Sequence, residues 1–245
     1  MTVRRPLVSL ALGALALSAL SQSASADPFE TLERLDQARF LDLAEHLGAA
    51  THYKAVTPAE SLGVIGFDLG IELSSTSIDS ELFDDASDGD FGTGSLLVPR
   101  LHALKGLPFG IDIGASIGLI PSSDMTLIGG EARIALVEGN VALPAVGLRA
   151  SYSWTEGSDD IEATNGALEL TVSKGFLMLT PYAGVGIVHS SVDPTGARDT
   201  LADESFDQEK LYVGLNANLV GFNVTGEADR TGDHSSISAK LGIRF

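Results

Sequence analysis

Ser235-Ser236-Ile237-Ser238-Ala239-Lys240-Leu241-Gly242-Ile243-Arg244-Phe245 is the stretch on which the fold of this 245-residue chain turns. Ser235, Ile237, Ala239, Leu241, Ile243 and Phe245 fall on one side of an extended chain, and Ser236, Ser238, Lys240, Gly242 and Arg244 on the other. Side chains of a strand point alternately to its two faces, so this strand meets an apolar medium on one side and a polar one on the other.

Upstream the same period recurs. Leu62 to Leu73 places Ile65, Phe67, Leu69, Ile71 and Leu73 against Val64, Gly66, Asp68, Gly70 and Glu72. Further strands are expected over Ser95 to Lys105, Phe109 to Leu119, Met125 to Val137 and Val146 to Trp154. Four more follow over about Ala163 to Ser173, Leu179 to Ile187, Leu211 to Leu219 and Phe222 to Asp229, ahead of the closing strand. Pro181 is a mild conflict inside its strand, because proline donates no ladder hydrogen bond.

Ten strands result, with eight or twelve remaining as alternatives if a loop hides a hairpin or two segments merge. Connections after odd strands are mostly long and acidic, and those after even strands are short. Long external loops, short periplasmic turns and an even strand count describe an antiparallel up-and-down transmembrane β-barrel with both termini periplasmic. A soluble barrel or sandwich would turn the apolar stripes inward and carry more Lys and Glu outside. Here the polar stripes are rich in Gly, Ser and charges of both signs, and Phe67, Phe109, Tyr152, Trp154, Phe222 and Phe245 fall near strand ends, as interfacial girdles do. The fold class expected is all-β, with a short N-terminal α-helix.

Residues 1–26 have the form of a secretory signal peptide: Arg4 and Arg5, a mostly apolar run from Leu7 to Leu20, and Ala24-Ser25-Ala26. No later apolar run is long enough for a membrane helix. With no cysteine in the chain, stability rests on the fold rather than on disulfides. A net charge of −18 speaks against a nucleic-acid partner. Asp27 to Leu47 is expected to form an amphipathic helix, with Asp27 as N-cap, Pro28 in the first turn, Glu30 at the third position and Gly48 as the stop. Residues 27–60 are read as a periplasmic helix and linker, and residues 61–245 as the barrel. The helix could pack under the barrel rim, lie in the inner leaflet or plug the lumen.

The inward stripes carry Asp68, Glu72, Asp112, Glu131, Glu169, Glu227 and Asp229 against Arg100, His102, Arg133, Arg149, Lys240 and Arg244. In a narrow lumen these charges can meet across the barrel as a stiffening network, or line a hydrophilic path for small solutes or ions. Lys240 and Arg244 are expected to face Glu227 and Asp229 or acids across the lumen, and His102 to be a salt-bridge partner. The external acids include Asp84, Asp85, Asp88 and Asp90, weak candidates for divalent cations, since the spacing lacks the alternate ligands and terminal Glu of a calcium hand. For catalysis, His189 and His234 approach the rim near Asp229, Asp193 and Ser190. An omptin-like protease is disfavoured because the expected strands are too short to project from the membrane and no matching motif is visible. No cofactor is expected, and the chain is read as a non-enzyme.

Lys105-Gly106-Leu107-Pro108, Thr180 to Gly186 and Lys240 to Phe245 resemble a family of uncharacterised proteobacterial outer-membrane β-barrel proteins. The resemblance covers most of the chain after about Leu47. It implies the fold and the cell outer membrane as location, with no substrate and no functional residues. In bacterial outer-membrane barrels of this kind a C-terminal aromatic residue, here Phe245, is the signal read by the barrel-assembly machinery. The expected partners are therefore that machinery, outer-membrane lipid and lipopolysaccharide. The expected role is a structural barrel or narrow porin-like channel, with surface binding or adhesion through the acidic loops as the alternative.

Overall fold

The structure, a computed structural model, describes Phe29 and residues 31–87, 94–121, 123–219 and 221–245. The expected signal peptide, and with it Asp27, Pro28, Glu30, Asp88 and Asp90, lies outside the described residues.

Among the described residues there are ten strands: β1 (Phe67–Ser77), β2 (Ser95–Gly106), β3 (Ile111–Leu119), β4 (Thr126–Glu138), β5 (Ala145–Glu156), β6 (Glu162–Ser173), β7 (Leu179–Asp193), β8 (Glu204–Leu219), β9 (Phe222–Thr231) and β10 (His234–Arg244). Each pairs antiparallel with its sequence neighbour, and β1 pairs with β10, so the sheet closes into a barrel without edges. Closure leaves every strand with a partner on both sides, the condition for backbone polar groups to tolerate hydrocarbon. Burial alternates in the inverted sense. Leu69, Ile71, Leu73, Val185, Ile187, Leu211, Val213 and Leu241 are exposed on the outer wall, while Asp68, Glu72, Arg100, Glu169 and Lys240 are buried inside. This is the lipid-facing form of the barrel. Phe245 exchanges backbone hydrogen bonds with Phe67 and stacks on its ring at 4.9 Å, so the start of β1 and the end of β10 meet at the short-turn rim.

At that rim, Phe109 stands in the turn before β3 at φ +67°, followed by Gly110 at φ +70°, rather than opening the strand as the alternation suggests. At the other rim the strands differ more. β7 continues to Asp193 and β8 starts at Glu204, which shortens the loop expected over Ser191 to Gln208 and corrects the reading of these strands as too short to project. Above the apolar belt, His189, Ser191, Ser205 and Asp207 point outward, and Ser190 and Gln208 point inward. There the outer face turns polar while Val188, Val192 and Phe206 face inward, so the apolar stripe changes sides as the ladder continues.

The N-terminal segment departs furthest from expectation. A single 3-10 turn spans Leu32–Arg34, and α1 spans Gln37–Thr51. Asp36 is the N-cap, its carboxylate accepting from Arg39 N at 2.9 Å. Gly48 lies inside the helix rather than ending it, because a Cβ there would come within 2.6 Å of Ser190 Oγ. The expectation of a periplasmic helix below the rim is also corrected: α1 packs within the barrel against β7, β6, β1, β10, β5 and β8. It enters from the long-loop rim, where a second helix, α2 (Ser80–Ser87), sits in the β1–β2 connection. Residues 52–66 then descend to the opposite rim and join β1. Phe40, Leu43, Ala44, Leu47, Ala49 and Ala50 are all buried, since the wall surrounds the helix rather than flanking one face. Small luminal residues make the room. The Tyr53 ring lies over Gly129, and Ala59 rests on Gly147.

Candidate functional site: the plugged lumen

Two layers of different chemistry fill the barrel. Toward the long-loop rim the contents are apolar: Phe29, Leu32, Phe40, Leu43 and Leu47 pack with Leu82, Phe83, Ala86, Ile120 and Met125 in one buried cluster. Phe29 and Phe83 meet edge to face at 6.3 Å.

Below it lies the charged layer, and all thirteen residues expected there face inward. Asp68 receives Lys240 and Arg244, each at 2.8 Å. Glu72 pairs with Arg100 at 3.0 Å and His102 at 2.5 Å. Asp112 pairs with Arg133 at 2.7 Å, and Arg149 bridges Glu131 and Glu169, both at 2.8 Å. Glu227 accepts from Tyr182 Oη at 2.7 Å, and Asp229 from Lys54. Lys240 and Arg244 therefore clasp the β1–β10 seam through Asp68, instead of facing Glu227 and Asp229. Burying these ions is costly in isolation, and their mutual pairing is what offsets the lost hydration.

Lys54, Tyr53, Tyr182, Tyr212 and Lys210 complete the layer and were not in the expected network. Lys210, 2.6 Å from Glu169, fits the alternation only once β8 is extended upstream of Leu211. Tyr182 and Tyr212 each lie over the glycine opposite, Gly214 and Gly184, and so fill one side of the lumen. No periodic signal marks Tyr53 and Lys54, which sit in an irregular stretch.

The plug is tied to the wall along its length. Arg100 Nη2 donates to Ala50 O at 2.7 Å, placing a cation against the C-terminal carbonyls of α1. Ser153 donates to Thr51 O at 3.0 Å, and Tyr53 Oη to Glu131 at 3.3 Å. Lys54 Nζ reaches both Asp229 oxygens, at 3.0 and 2.9 Å, and Ser236 Oγ at 3.1 Å. Thr57 Oγ1 accepts from Arg133 at 2.8 Å and Arg149 at 3.1 Å, and Leu62 N donates to Asp112 at 3.1 Å. With Asn165 donating to Thr51 Oγ1 at 3.0 Å and Ala59 N to Ser173 Oγ at 3.1 Å, the anchors come from β2, β3, β4, β5, β6, β9 and β10.

At the long-loop rim, Asp85 of α2 holds Arg39 at 2.8 Å, and that hydrogen bond raises the guanidinium above its ordinary range. Asp193 does the same for Arg198 at 2.6 Å. Of the weak cation candidates, Asp84 and Asp85 lie on α2, with Asp85 committed to Arg39. Among the described residues no group of three or more His, Asp or Glu side chains could hold a metal ion.

No family model and no curated protein sequence matches the chain. Solved structures that resemble it are outer-membrane barrels. The N-terminal β-barrel domain of Pseudomonas aeruginosa OprF is 11% identical, covers 73% of this chain and 97% of its own, and superposes with a TM-score of 0.36. An outer membrane channel from Pseudomonas putida F1 is 10% identical over 74% of this chain and 96% of its own, at 0.46. The translocator domain of autotransporter NalP from Neisseria meningitidis is 10% identical over 85% and 94%, at 0.42. These are likenesses of barrel architecture and bring no functional residue.

Proposed function

We propose that this protein is an outer-membrane barrel of porin-like architecture held shut by its own N-terminal segment. The observation that carries the reading is Lys54, fully buried, reaching from the plug to Asp229 and Ser236 on the wall. In this state residues 37–60 occupy the space a solute would use, and passage requires the plug to leave. The lipid-facing belt supports residence in the outer membrane, among lipid and lipopolysaccharide, and the exposure of Phe245 supports a role as the residue that the assembly machinery reads. Among the luminal charges, Arg100, Asp112, Glu131, Arg133, Arg149 and Asp229 also seat the plug, while the others tie the wall to itself.

Planar-bilayer recording tests this. The full chain should be silent or open rarely, and a deletion of residues 37–60 should give discrete, sustained steps. Equal conductance in both would remove the plug as gate, and silence of the deletion would remove the porin-like role.

A further inference from the structure

Outside the lumen, a serine, a histidine and an aspartate meet on the outer wall. His189 of β7 and Asp207 of β8 are directly opposed in register, with His189 Nδ1 2.8 Å from Asp207 Oδ1. The other ring nitrogen, Nε2, lies 3.4 Å from Ser205 Oγ, two residues before Asp207 on the same face. A carboxylate on Nδ1 and a hydroxyl on Nε2 is the arrangement by which an imidazole activates a serine. With side chains 61% and 70% exposed, the His189–Asp207 pair adds little to stability. Packing thus gives it no evident purpose.

The trio shares its hydrogen-bonded rows with two aromatic side chains of the outer wall. Tyr152 opposes Gly166, Gly166 opposes His189, and His189 opposes Asp207. One row further out, Trp154, Thr164, Ser191 and Ser205 align in the same way. Tyr and Trp mark the membrane–water boundary, where the ester groups of lipids lie. A groove of about 900 Å³ lined by Leu168, Leu170, Val185, Ile187 and Leu211, with Glu209 opposite Ile187, also takes in His189. An acyl chain lying in that groove brings its ester to the trio.

We propose that Ser205, His189 and Asp207 form an esterase site for acyl lipids of the outer leaflet. Ser205 Oγ attacks the ester carbonyl carbon while its proton passes to His189 Nε2. The tetrahedral intermediate collapses, the bond to the alcohol oxygen breaks, and the imidazolium returns the proton to that oxygen. Water, deprotonated by His189, then attacks the acyl-serine, releasing the fatty acid and restoring Ser205. Asp207 is a positioning residue that holds the Nδ1–H tautomer. Ser191, opposite Ser205 and on the same face, supplies the hydroxyl nearest by register for the developing oxyanion.

The test uses the refolded full-length chain in detergent micelles and in phosphatidylethanolamine vesicles. A fluorophosphonate probe should add covalently to Ser205, located by peptide mass. Hydrolysis of p-nitrophenyl laurate and fatty-acid release from the vesicles should both fall at least about 100-fold in Ser205→Ala and His189→Asn. Asp207→Asn should lower kcat with little change in KM. All three positions are exposed, so the variants are expected to fold, which circular dichroism checks. No adduct at Ser205, or undiminished turnover in Ser205→Ala, overturns the site. Cleavage of the soluble ester without release of fatty acid from vesicles overturns the lipid assignment.

Discussion

Replacing Lys54 with alanine should loosen the plug far more than any surface change. The ammonium is fully buried and makes three polar contacts with the wall, two to Asp229 and one to Ser236. Its removal leaves Asp229 buried with Thr231 Oγ1, at 3.3 Å, as its remaining side-chain partner. Breaking one side of a buried ion pair costs about 3–5 kcal/mol. At about 1.4 kcal/mol per tenfold, the ratio of released to seated plug rises roughly 10²- to 10⁴-fold. A released 15-residue helix is marginal in water, so amide exchange along α1 reports release directly. Exchange of the α1 amides should accelerate by that factor, and channel openings should become more frequent in step. The double variant Lys54→Met/Asp229→Leu removes both charges at similar volume and should return exchange close to the parent rate. Unchanged α1 exchange in Lys54→Ala, or a double variant as loose as the single one, would refute the ion pair as the latch.

Four further outcomes are open to measurement. Leu241→Arg, placing a cation on the outer wall, should cost about 2–4 kcal/mol in vesicle-based unfolding if the site lies at mid-membrane, and a cost near zero would mean that the wall does not face lipid. Because the chain has no cysteine, Glu33→Cys, exposed at the long-loop rim, should react with an impermeant maleimide on intact cells while Leu177→Cys at the other rim stays unlabelled; the reverse pattern would invert the barrel. Gly48→Val must displace Ser190 and should speed α1 exchange at least tenfold, leaving the strand amides protected. Phe245→Ala, at the exposed seam, should lower the yield of membrane-inserted barrel in cells, and normal assembly would remove the signal role.

Strand order, closure and the luminal charges were legible because each follows from period two, which survives wherever one face meets lipid and the other does not. Tyr182 obeys the same period on the inward side of β7, whereas Lys210 was lost with the upper part of β8. There the wall leaves hydrocarbon, the outer face turns polar and Val188, Val192 and Phe206 point inward, so the apolar stripe changes sides while the ladder continues. The plug was obscured for a different reason. Its helix was placed about ten residues early, since Asp27, Pro28 and Glu30 make a plausible start. Asp36 is in fact the cap, and Gly48 is a packing residue that brings α1 against β7. Which side of a wall a helix occupies depends on long-range contacts such as Lys54 to Asp229, 175 residues apart, and no local pattern encodes those.

The distribution of anchors also bears on how such a gate can open. If the plug were fastened to one strand pair, it could swing aside and leave a partial path. Instead its ties run to β2 through Arg100, to β4 and β5 through Arg133 and Arg149, and to β9 and β10 through Asp229 and Ser236. These lie on opposed walls, so displacement toward one side breaks the bonds on the other while its own remain strained. Each lost tie also leaves a charge or backbone group unpaired in a poorly hydrated interior, which costs more than the bond contributed. The intermediate positions are therefore the unfavourable ones. Release is expected to be all-or-none, with residues 37–60 leaving as a unit and the apolar cap around Phe83 separating in the same event. Single-channel records should then show one full-sized open level, and graded sublevels would mean that the two walls let go independently.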